Sequence, residues 1–233
     1  MNMTNESAGN INENVAAELS DRRSNVKPIV SVALALWLGL VFLLGTQGAF
    51  IGRPGSPPLP ILFGFAIPLV VFIAAYFGWD AFRAMVLGAD LRLVAAIQGW
   101  RWAGLGFLSL YAHGLLPGLF AFPAGLGDMA IGVGAPWIVL ELIRHPAFVT
   151  SRRFVTWNIL GIVDLVVAVS MGTICSGFIP GISGTVTTGA MAQLPLVLIP
   201  AYFVPIFIML HVTALAQSRR LARPGKSNHK RKD

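Results

Sequence analysis

The chain has 233 residues, 55% of them hydrophobic and 12% charged, with a formal net charge of +7 and a mean hydropathy of +0.72. A soluble domain carries roughly 25% charged residues, so there is too little charge here to cover a water-facing surface. A soluble globular fold and a disordered chain are excluded, and with one cysteine, Cys175, so is a disulfide scaffold. The class that remains is an all-α polytopic membrane protein.

Residues 1–27 are polar and Asn-rich, with Glu6, Glu13, Glu18 and Asp21. They read as a disordered cytoplasmic tail. The segment is too long and too acidic for a signal peptide, and the apolar stretch behind it has full span length. No Asp, Glu, Lys or Arg occurs from Pro28 to Gly52, or from Pro54 to Trp79. From Trp102 to Gly127 only His113 is ionisable, and from Phe154 to Ser218 the sole acid is Asp164, with His211 the only other ionisable group apart from the Cys175 thiol. A helix needs about 20 apolar residues to cross about 30 Å of hydrocarbon. These stretches predict a bundle of six transmembrane helices over about 29–51, 59–79, 102–122, 124–143, 154–175 and 195–216. The Gly, Ser and Thr of 176–189 read as a loop between the last two.

Segment 80–101 is long enough to span, but Asp90 and Arg92 would both be central. Each costs roughly +2.5 to +3.5 kcal/mol to insert, against roughly −0.3 to −0.6 kcal/mol gained per large apolar residue. Insertion loses, so 80–101 is expected to extend the second helix or to lie in the interface as an amphipathic helix, with Arg83, Asp90 and Arg101 on one stripe.

Basic residues set the orientation. With these spans, sixteen of the seventeen Lys and Arg fall in one set of alternating compartments and Arg53 alone in the other. This positive-inside bias predicts an inner (plasma) membrane protein with both termini cytoplasmic. The basic tail, residues 218–233, is expected to lie against anionic lipid headgroups. The net charge therefore calls for no nucleic-acid partner. A homo-oligomer and association with another membrane subunit are both compatible with the sequence.

Ionisable groups inside spans are the sharpest functional pointers. Asp164 lies about 16 Å from the start of the fifth helix, near mid-membrane. Its functional reading is a proton or cation site; the plainer one is hydrogen-bonding glue between helices, beside the small-residue face of Gly161, Ala168 and Gly172. His113 reaches a similar depth along the third helix, where Pro117 should bend it. A relay position and ordinary packing both fit. Asp128 is expected a few ångströms below the outer surface, capping the fourth helix. Gly125-x-x-Asp128 echoes Gly161-x-x-Asp164, as an internal repeat would.

No metal-ligand spacing, nucleophile elbow or phosphate loop is present in the sequence. His113 and His211 differ in expected depth by about 10 Å, which disfavours a bis-histidine haem. No cofactor is expected. The leading expectation is a small transporter or channel-like subunit using Asp164, with His113 and Asp128 along the route. The alternatives are a non-transporting assembly or stabilising subunit and, third, a b-type cytochrome or membrane enzyme.

Overall fold

A computed structural model describes residues 26–53, 55–182 and 184–222. The expected tails therefore fall almost wholly outside the described residues. Every regular element among the described residues is helical. Five helices are long and apolar enough to cross a membrane: α1 (Val26–Thr46), α2 (Leu59–Gly78), α6 (Gly118–Arg144), α7 (Arg152–Ile174) and the helix Ile199–Ala222. In the last, one wide π turn (Ile199–Phe203) precedes α8 (Val204–Ala222). Pro200 and Pro205 each lack a backbone donor there, so the regular ladder is interrupted.

Between α2 and α6 the chain departs from expectation. Segment 80–101 is not one helix. Helix α3 (Asp80–Val86) ends at a turn, and α4 (Leu91–Ile97) starts on Asp90, whose carboxylate accepts from the Arg92 backbone N–H at 2.9 Å. Helix α4 runs into a 3-10 stretch (Gln98–Gly104) and then α5 (Leu105–Ala112). Arg83, Asp90 and Arg101 thus share no stripe. The next helix, α6, begins at Gly118, so the turn expected at Pro123 lies at 113–117, and Pro123 and Pro136 are inside the helix. Pro117 does not kink a helix; it is the extended residue before α6. The physical reason is that Arg101 is not a boundary charge. It is 2% exposed, and the helical path of 91–112 carries it into the bundle.

Two apolar clusters sandwich that position. One holds Val94, Ile138, Leu142, Phe154 and Ala214 near the Arg144–Arg152 end. The other holds Phe107, Leu116, Phe120, Ala124, Cys175 and Met191 near the opposite end. Between them lies a polar layer.

Candidate functional site

The polar layer is built on Arg101. Its Nε donates to Asp128 Oδ1 at 2.7 Å, and its Nη2 donates to Asp164 Oδ2. Its Nη1 donates to the Gly161 carbonyl at 3.2 Å and to His211 Nε2 at 3.1 Å. The Arg101 side chain is fully enclosed, while those of Asp128 and Asp164 are 14% and 13% exposed. Because a guanidinium only donates, His211 Nε2 must accept. The imidazole proton is then on Nδ1, which donates to Asn158 Oδ1 at 2.9 Å. Asn158 Nδ2 in turn donates to the Phe154 carbonyl at 2.9 Å. The chain of donors runs one way, from Arg101 towards the start of α7.

Helix geometry puts these groups at one level. Arg101 is ten residues from the start of α4, Asp128 ten from the start of α6, Asp164 twelve from the start of α7, and His211 eleven before the end of α8. Each distance corresponds to about 15–18 Å of rise. Missing side chains let the helices approach. A Cβ on Gly127 would overlap the Asp164 carboxylate, and one on Gly161 would overlap the His211 ring. A Cβ on Gly132 would run into the backbone at Trp102. Glycine at these positions therefore removes steric bulk where the ion pairs must close.

The sequence candidates separate. Asp164 and Asp128 meet on the same guanidinium. Asp128 caps nothing, since α6 starts ten residues earlier and places it at mid-helix. His113 lies apart, exposed at the end of α5, with Nδ1–H donating to the Ser109 carbonyl at 2.8 Å. The route of three candidates is therefore a pair of acids plus a remote histidine. Arg101, His211 and Asn158 complete the layer and are not among the sequence candidates. Arg101 had a legible signal: from Leu93 to Ala112 it is the only charge in an apolar stretch. His211 lies deeper than a helix ending at residue 216 would put it, because α8 extends to Ala222. Both of its ring nitrogens are engaged.

A cavity of about 180 Å³ reaches this layer from the end of the bundle that holds Pro58 and Ser176. Asp128 lines it, together with Phe107, Phe120, Leu165 and Ala168. Thr188, on a 3-10 turn beside the opening, donates its hydroxyl to the Gly172 carbonyl at 2.5 Å and ties the 176–192 loop to α7. Towards the other end, Val94, Ile138, Leu142 and Phe154 pack closed.

Residues 58–219 match a family described as a domain of unknown function, DUF8737. The chain belongs to this family. The matched region contains the whole polar layer and leaves α1 outside. No curated protein and no solved structure matches the chain.

Proposed function

We propose that this DUF8737 protein is a small membrane transporter or channel-like subunit whose ionisable centre is Asp128 and Asp164 on Arg101. The observation that carries the reading is the stoichiometry of the buried layer: two carboxylates share one guanidinium. Charge left uncompensated in low dielectric costs several kcal/mol. The second carboxylate therefore needs a proton or a cation, and whichever it takes comes and goes through the cavity that ends at Asp128. In this reading the path 91–112 is the sixth span, with Arg101 at its middle. Removing Arg101 from the loops leaves fifteen basic residues against one, which supports both termini being cytoplasmic in a plasma (inner) membrane.

The test is a pH-gradient assay in proteoliposomes. Wild type is expected to dissipate the gradient. Asp164→Asn, which leaves Arg101 paired to Asp128, is expected to fold and to lose the flux. Undiminished flux in that variant would contradict the reading.

One observation favours a second reading. All three nitrogens of the Arg101 guanidinium have partners, as a purely structural clamp would require. A non-transporting stabilising subunit of a membrane complex then predicts no flux in wild type, and loss of a co-purifying partner in Asp164→Asn.

A further inference from the structure

We propose that the cavity ending at Asp128 binds a small lipophilic ammonium ion, its charged head on the Asp128 carboxylate and its alkyl part along Phe107, Phe120 and Leu165. This deepens the two-carboxylate reading above by naming the cargo class.

Size, charge and wall chemistry agree. A cavity of about 150 Å³ suffices for a benzene-sized ligand, and this one is about 180 Å³. Among the described residues Asp128 presents the only carboxylate in the lining, and its sharing of Arg101 with Asp164 leaves an excess of negative charge. An anion is therefore disfavoured. A hard inorganic cation must exchange its water shell for several oxygen ligands. The wall here offers one carboxylate and the scattered hydroxyls of Ser56, Thr173, Ser176 and Thr188, among apolar side chains that include Phe107, Phe120, Leu165 and Ala168. An organic cation needs no such shell, and aromatic rings attract it. Phe107 and Phe120 pack edge to face with centroids 5.4 Å apart. Towards the opening, the buried Ser176 hydroxyl has no hydrogen-bond partner among the described residues. Arg53 stands exposed at the rim, where solvent and salt screen its charge.

The full chain in detergent is titrated calorimetrically with n-butylammonium, n-butanol, butyrate and sodium chloride, with empty micelles as the blank. Butylammonium is expected to bind saturably and roughly tenfold or more tighter than butanol, a difference of about 1.4 kcal/mol. Butyrate and sodium are expected to give no saturable heat. Ala168→Phe, which places a ring on the apolar wall of the cavity, is expected to abolish binding. Asp128→Asn is expected to remove the preference for the ammonium over the alcohol. Equal affinity for butanol, or binding unchanged in Ala168→Phe, overturns the proposal. If Asp128→Asn does not fold, the comparison of ligands on the native chain decides alone. Butylammonium binding without any flux sinks the transport reading and leaves the site standing; proton flux without butylammonium binding does the reverse.

Discussion

Helices α2 and α6 are alike in hydropathy and opposite in surroundings. Both are apolar and long enough to cross a membrane. Yet α2 has no buried residue, and Phe63, Ile67, Val70 and Val71 are open to their surroundings. Helix α6 buries nine residues and packs against the path 91–112 closely enough that Gly132 meets the Trp102 backbone. The difference teaches that hydropathy reports the solvent of a segment, not its place in the bundle. Place is reported by the residues that break the apolar pattern: a charge that needs partners, and a glycine where another helix must come near.

The comparison is broken most severely at Arg101. Arg101→Leu leaves Asp128 and Asp164 facing each other without a counter-charge. Breaking a buried pair costs about 3–5 kcal/mol, so the variant should unfold far more readily than wild type in detergent, as read by thermal unfolding and size-exclusion chromatography. A monodisperse variant with an unchanged melting temperature would mean that the layer does not hold the bundle together. A smaller effect is expected at the glycines. Gly161→Val forces the His211 ring aside, and overpacking costs about 1–3 kcal/mol. Thermal unfolding should fall clearly below wild type, whereas Gly78→Val, where a Cβ meets nothing within 4 Å, should shift far less.

Outside the bundle interior the effects shrink further. Asp90→Ala removes the cap of α4, worth about 1 kcal/mol. The Arg92 side chain and backbone N–H hold the Asp90 carboxyl below its ordinary value of 3.8. Its stabilising contribution is therefore complete above that value and fades as pH falls through the lowered one. The gap in melting temperature between wild type and Asp90→Ala should narrow in acid. A gap that did not change with pH would mean that the pair contributes nothing. Smallest of all is Val70→Leu on the open face of α2, expected within about 0.5 kcal/mol of wild type.

Much of the fold was legible because the membrane imposes it. Long runs with at most one charge match α1, α2, α7 and the last helix to within about six residues at either end, since exposed backbone donors in hydrocarbon leave no alternative to helix. Asp164 and Asp128 stood out because an acid in such a run is costly. Arg101 departs from this pattern because it is a charge held inside the bundle. Taken as a boundary, Arg101 closes the segment too early and groups it with Asp90 and Arg92, so that insertion looks too expensive. Insertion scales price each charge alone, whereas Arg101 is offset by Asp128 and Asp164, 27 and 63 residues away along the chain. His113 misled for the opposite reason. It shares an uncharged run with deep residues, but the chain turns at 113–117 and leaves it at a helix end. No local pattern marks that turn apart from Gly114 and Pro117, with Gly114 taking a positive φ of 70°.

The central claim is that one guanidinium holds both carboxylates in the bundle interior. Mutant cycles test it most directly, with unfolding free energies measured for Arg101→Leu, for Asp128→Asn with Asp164→Asn, and for all three together. Residues in one ion-pair network show coupling of about 0.5–3 kcal/mol. The account predicts coupling at the upper end of that range, with the triple variant recovering much of the stability that Arg101→Leu loses. Additive effects, with the triple variant less stable than either parent, would contradict it.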